Sequence, residues 1–202
     1  MDTLETNNQL GAQAPAVLTD LELVNLSLVQ ADNFAFLVDR YKLKLAAYIK
    51  RLTNVDEDDL EDILQEVFIK VYLNLNEFNK DLKFSSWIYR ITHNQVISRH
   101  RKIQARPEGY KVIIDDALVN SLRAEVDIKG DIDKQILQKA VNDVLNRIHK
   151  KYRDVVILKF LEEKSYQEIS DILKKPTGTI ASLMNKAKKE FKQALEAQNF
   201  KF

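Results

Sequence analysis

Residues 165–191 read SYQEISDILKKPTGTIASLMNKAKKEF. Two helical periods meet at Lys174-Lys175-Pro176 with almost no chain between them. Ser165 and Glu168 form a capping box, in which the serine oxygen and the glutamate each satisfy a backbone N–H at the helix start. Ile169, Ile172 and Leu173 give that first helix an apolar face. Pro176 suits the first turn of a second helix, where its missing N–H would be unpaired anyway. At steps of about 100° per residue, Ile180, Leu183, Met184, Ala187, Phe191 and Leu195 fall on one side of the second helix. Ser182, Asn185, Lys186 and Lys189 fall on the other. This is the form of a helix-turn-helix. A helix fixed by its neighbour, with hydrogen-bonding groups and cations outward, is what major-groove reading requires. The candidate duplex-contacting residues are Thr177, Thr179, Ser182, Asn185, Lys186 and Lys189. The alternative is a solvated lysine face on an ordinary surface helix.

The rest of the chain agrees with a helical protein. It has 202 residues, Gly 4 and Pro 3, and no Asn-Gly or Asp-Gly hairpin signal, so the expected fold class is all-α. Residues 1–18 read as a polar tail. Thr19 and Glu22 form a second capping box. Phe34, Leu37, Tyr41, Leu45, Tyr48 and Leu52 follow the helical period, as do Leu60, Ile63, Leu64, Val67, Val71 and Leu75. Ser85 is the expected cap of a further helix. Between 106 and 133 the period dissolves around Pro107, Gly109 and Gly130, and returns at Ile136. The expected organisation is therefore a tail (1–18), a helical module (19–105), a linker (106–133) and a second helical module (134–202). Cys is absent, which suits a reducing cytoplasm. No stretch approaches the ~20 apolar residues of a membrane span, no secretory signal is visible, and no membrane insertion is expected.

Charge is balanced in total, Lys+Arg 31 against Asp+Glu 30, but segregated along the chain. The stretch TNVDEDDLEDILQE is purely acidic. The stretch KFSSWIYRITHNQVISRHRKIQAR (83–106) carries Lys83, Arg90, Arg99, Arg101, Lys102 and Arg106, and no acid. On the acidic helix, Asp59, Asp62, Gln65 and Glu66 face outward together with Ile69 and Leu73. Exposed aliphatics among acids suggest a docking surface, against the plainer reading of a solvated face. A metal site built on Asp59, Asp62 and Glu66 is a third option, weakened because one helix rarely supplies enough ligands. No cofactor is expected. On the basic helix, Arg90, His93, Asn94, Ile97 and Arg101 share a stripe. Cations in a row neutralise phosphates, and excluding acids removes repulsion from nucleic acid. Aromatic and amide groups nearby could hold unstacked bases. Trp87, beside Ile88 and Ile91, is expected in the core.

These residues carry a resemblance. Asp59, Glu61, Asp62, Gln65, Glu66 and Phe68, followed by Phe84, Trp87, Tyr89, Arg90, Ile91 and Asn94, resemble region 2 of bacterial RNA polymerase sigma factors of the extracytoplasmic-function type. YRDVVILKFLEEKSYQEISDIL with the helix-turn-helix after it resembles region 4 of the same family. The resemblance covers about 19–105 and 134–197, in the family's order. It implies that Asp59, Asp62, Gln65, Glu66, Ile69 and Leu73 bind core RNA polymerase. It implies that the melted −10 promoter strand is held by Phe78, Asn79, Lys80, Lys83, Tyr89, Arg90, His93, Asn94 and Arg101, with one base flipped into a pocket. The C-terminal helix would then read the −35 duplex, and an anti-sigma factor is a possible further partner. Tyr89 and Asn94 point about 140° apart on an ideal helix, too far for one pocket. Three features depart from the family pattern. Ala181 and Leu183 stand where basic residues are usual. Lys174 replaces a common glycine, at a cost of about 1–2 kcal/mol if left-handed. Ile148-His149-Lys150-Lys151 replaces a proline-containing break.

The expected function is transcription initiation, with no catalytic residues. A dimeric DNA-binding response regulator is the competing reading, and it leaves the acidic cluster and WIYRITHN unexplained. An enzyme is disfavoured: His93, His100 and His149 are the only histidines, and no nucleophile–base pair or phosphate loop can be picked out.

Overall fold

The computed structural model describes residues 18–53, 55–103 and 149–196. Among them every regular element is helical. The N-terminal half holds α1 (Asp20–Val29), α2 (Phe34–Leu52), α3 (Glu57–Leu73) and α4 (Phe84–Ile103), with short 3-10 turns at Ala31–Asn33 and Leu75–Glu77. The C-terminal half holds α5 (Lys150–Val156), which runs into a π-helical turn (Ile157–Leu161), then α6 (Tyr166–Leu173) and α7 (Thr177–Glu196). The expected linker 106–133 and the period at Ile136–Ile148 lie outside the described residues, as does the tail 1–17.

The helix starts follow local chemistry. Thr19 and Ser165 each form the expected capping box, with Glu22 and Glu168 respectively. Asp56 caps α3 by accepting from the Asp59 N–H at 2.8 Å. Glu57, Asp58 and Asp59 fill its first turn, where carboxylates meet the positive end of the helix dipole. Two expectations shift by a residue or two. Ser85 is not a cap: α4 begins at Phe84, and the Lys83 carbonyl accepts from Ser86 and Trp87. Pro176 stands just before α7, where its carbonyl accepts from the Thr179 N–H at 2.8 Å and the Ile180 N–H at 3.1 Å.

The periodic apolar positions become the core. Leu37, Tyr41, Leu45, Tyr48 and Leu52 of α2 are buried against Ile63, Val67 and Val71 of α3 and Ile88 of α4. Trp87 is buried in an aromatic cluster, its ring centroid 5.3 Å from Phe78 and 5.7 Å from Phe84. In the second half Ile169, Ile172, Ile180, Met184 and Ala187 close a small core with Val155, Val156, Ile157 and Leu158. The two halves are not held apart: α6 packs along α4.

Candidate functional site

The acidic helix α3 has two flanks with different chemistry. Asp62, Gln65, Glu66, Ile69 and Leu73 are exposed, and Asp59 is half-buried. Ile69 is 51 % and Leu73 68 % exposed, and they adjoin the acids on one face. On the α2 side they border a groove of about 690 Å³, with Phe34, Phe68, Tyr72 and Lys42. The Phe34 ring meets Phe68 and Tyr72 edge-on, at 6.4 and 5.2 Å between centroids. The groove is thus aromatic at its base and acidic at its lip.

The other flank of α3 faces α4. Arg99 pairs with Asp59, and lies 3.7 Å from Asp62 and 3.9 Å from Glu66. Gln95 bridges Glu66 and Lys70. The basic segment is therefore not uniformly turned outward, because the acids of α3 claim Arg99. Between these helices lies a polar pocket of about 380 Å³, lined by Lys70, Asn74, Trp87, Arg90, Asn94 and Ser98, among others. It brings Arg90 and Asn94 together.

Three residues expected at the −10 strand lie in the interior instead. Phe78 is a member of the aromatic cluster with Phe84 and Trp87. His93 is buried, with Nδ1 3.0 Å from the Tyr48 hydroxyl. Tyr89 is 2 % exposed and its hydroxyl donates to Glu162 at 2.7 Å. The reason is helical geometry: Tyr89 and His93 stand four residues apart, on the side of α4 turned to α2 and the C-terminal half. Arg90 and Asn94, also four apart, lie about 100° further round the helix, on its more open flank. Asn79, Lys80 and Lys83 are exposed in the α3–α4 loop. There the Asn79 side chain accepts from the Asp81 N–H at 2.9 Å and Lys80 donates to Asn25 at 2.8 Å. The Arg101 side chain lies outside the described residues.

On α7, Thr177, Thr179, Ser182, Asn185, Lys186 and Lys189 are all exposed, above buried Ile180, Met184 and Ala187. Ala181 and Leu183 are half-buried. Lys174 is left-handed, with φ 52° and ψ 49°. The turn is braced by the Ser170 hydroxyl, which donates to the Lys175 carbonyl at 2.6 Å.

Sequence reasoning missed the residues where the halves meet. The Glu162 side chain is 5 % exposed and lies 2.6 Å from Arg51 of α2. It is set there by the π turn and by Glu163, whose φ is 51°. Lys164 sits 4.4 Å from the Tyr89 ring centroid, and Lys83 lies 3.3 Å from Glu168. His93 Nε2 is 3.8 Å from Asp154. Burial pushes the Asp154 carboxyl up to about 6 and the His93 imidazole down to about 4. Burial and the Glu162 charge raise the Tyr89 phenol far above its usual range, so it stays a donor. Glu162 and Tyr89 are 73 residues apart in sequence, and no local pattern links them.

Among the described residues no helix is long and apolar enough to cross a membrane. Comparison with known proteins matches residues 37–106 to sigma-70 region 2 and residues 138–191 to sigma-70 region 4. The ECF RNA polymerase sigma factor SigW of Bacillus subtilis is 32% identical over 180 residues, 81% of this chain and 89% of its own. Two solved structures share the fold. CnrH, solved in complex with the cytosolic domain of CnrY, has a TM-score of 0.62 at 18% identity, covering 88% of this chain and 97% of its own. The sigma factor RpoE of Bartonella quintana, solved with the anti-sigma factor NepR, has a TM-score of 0.59 at 22% identity, covering 81% and 97%. The order of the two matched regions, the helix-turn-helix and this near-full-length likeness lead to one conclusion: the chain belongs to the extracytoplasmic-function sigma factors of the sigma-70 family.

Proposed function

We propose that the chain is a transcription initiation factor that binds core RNA polymerase and directs it to promoters through three surfaces. The groove beside α3, edged by Asp62, Gln65, Ile69 and Leu73, docks the polymerase. The pocket holding Arg90 and Asn94 takes an unstacked base of the melted −10 strand, with the cation on the backbone and the amide on the base edge. The outer face of α7, Thr177 to Lys189, reads the −35 duplex. The bonds are made by the polymerase, and the chain itself contributes binding only.

One observation carries the reading: a single acidic helix has an apolar, acid-lipped groove on one flank and a polar pocket with an exposed amide and a cation on the other. A dual surface of this kind suits a protein that must hold an enzyme and a nucleic acid at once. A relative with the same fold was solved with an anti-sigma factor, and a regulator of that class is proposed here as a further partner.

Run-off transcription with core polymerase on a promoter library tests the reading. Transcripts that depend on the chain support it, and their absence refutes it. Arg90→Glu is expected to abolish open complexes while core binding persists. Leu73→Asp is expected to weaken core binding about tenfold or more, the loss typical of a central aliphatic anchor. If both variants fail in both assays alike, the surfaces are wrongly assigned.

A further inference from the structure

We propose that Asn185 sets the base sequence of the −35 element by pairing with the edge of an adenine, and that the lysines beside it hold phosphates and carry no sequence preference. The inference rests on the −35 reading proposed above and names the base which that reading takes.

The outer face of α7 is fixed from behind. Ile180, Met184 and Ala187 are buried, so the helix cannot roll, and positions 178, 181, 182 and 185 share an outward sector about 100° wide. The three that precede Asn185 there are Gly178, Ala181 and Ser182, all small. Among the described residues no neighbouring segment comes within 4 Å of where a Gly178 Cβ would stand. Nothing therefore holds this part of α7 away from the floor of a groove. The point matters because asparagine is short, and it meets a base edge only where the backbone comes close.

Asn185 is exposed and has no hydrogen-bond partner among the described residues, so both ends of its amide are available. An amide sets an acceptor beside a donor. Adenine presents the complement in the major groove: its N6–H donates to the amide oxygen, and its N7 accepts from the amide N–H. Ala181 stands one turn earlier on the same side, about 40° away, where its methyl suits the C5-methyl of a thymine in the same pair or the next. An A·T pair is thus favoured by both side chains.

The cations of this face fit a different task. Guanine is read best by the planar fork of an arginine, and α7 contains none. Lys186 and Lys189 are exposed. Lys186 lies about 100° round the helix from Asn185, and Lys189 about 6 Å further along it. From either place a compact ammonium on a four-carbon stem reaches the walls of the groove, where the phosphates are.

Run-off transcription by the chain with core polymerase, on templates in which only the −35 element is randomised, tests the assignment. The parent is expected to enrich adenine at one fixed position. Asn185→Ala should lower the preference for that adenine about tenfold or more, the worth of one bidentate pair, and leave the other positions as they were. Asn185→Arg should move the preference at that position to guanine. Lys189→Ala should weaken every template alike and lower the salt dependence of binding by about one counterion. Gly178→Leu guards against misfolding: it should not lower the melting temperature, since leucine is the better helix former, yet it should weaken every template, because its side chain would stand between the helix and the groove. An Asn185→Ala chain that keeps the parent's base preferences, or that loses all templates in equal measure, overturns the proposal, as does a parent that enriches no adenine. A parent that yields no polymerase-dependent product on any template removes the promoter reading itself, and this assignment with it.

Discussion

At the scale of single residues, backbone strain and buried charge give the sharpest expectations. Lys174 holds a left-handed conformation that costs a side-chain-bearing residue about 1–2 kcal/mol. Lys174→Gly should therefore raise stability, by about 0.5–1 kcal/mol after the glycine's own entropic cost, read from thermal denaturation. The resemblance already marked this position, where the family commonly has a glycine. Asp154 and His93 make a second case. The Asp154 carboxyl is raised to about 6 by burial, so between its ordinary value and about 6 the folded chain binds more protons than the unfolded one. Its contribution to stability then falls as pH rises through that window. His93 is lowered to about 4, so the unfolded chain binds more protons above that value and stability rises with pH. The two slopes oppose each other. Asp154→Asn should leave the rising one, and the melting temperature of the variant should climb more steeply than the parent's from about pH 4 to 6.5. An identical pH profile would show that Asp154 is ionised at no cost in the folded chain.

At the scale of elements, what the sequence discloses is set by periodicity. The apolar spacing from Phe34 to Leu52 gives α2 residue for residue, because one face must be buried and 3.6 residues make a turn. The same logic places Trp87 in the core and separates Asn94 from Tyr89. Periodicity says which face is turned outward, but not what another segment does to it. The Tyr89 face of α4 looks available in sequence and is covered by α6 and the π turn. Arg99, one of the cations of the acid-free stretch, is spent on Asp59. Both features arise from contacts between distant segments, which carry no local signature. The α3–α4 junction gives an element-scale prediction. Arg99→Ala should leave Asp59 and Glu66 without their shared cation and loosen the pocket between the helices. Because the groove on the α2 flank is built without Arg99, capture of a single-stranded −10 oligonucleotide by holoenzyme should weaken more than core binding does, measured by fluorescence anisotropy.

At the scale of the whole molecule, charge and closure act together. The formal net charge is +1, and the cations of α7 are one exposed cluster on a nearly neutral body. Phosphate contacts supply most non-specific affinity for duplex DNA, so the free chain should bind duplex only weakly at physiological salt. Titration of a labelled promoter fragment, with and without core polymerase, checks this. Tight binding of duplex by the chain alone would instead favour an independent regulator.

The bend that carries Glu162 has a consequence of its own. A π turn is an α-helix that has accommodated one surplus residue. Deleting any single position from 157–161 would let the helix resume its normal winding, and everything beyond it would swing by about 100°. The carboxylate would then point away from Arg51, and the helix-turn-helix would come to rest over a different part of its neighbour, although every side chain in both reading faces was intact. The posture of the resting protein is therefore written in the length of a five-residue segment, and a one-codon change there would alter it where many substitutions would not.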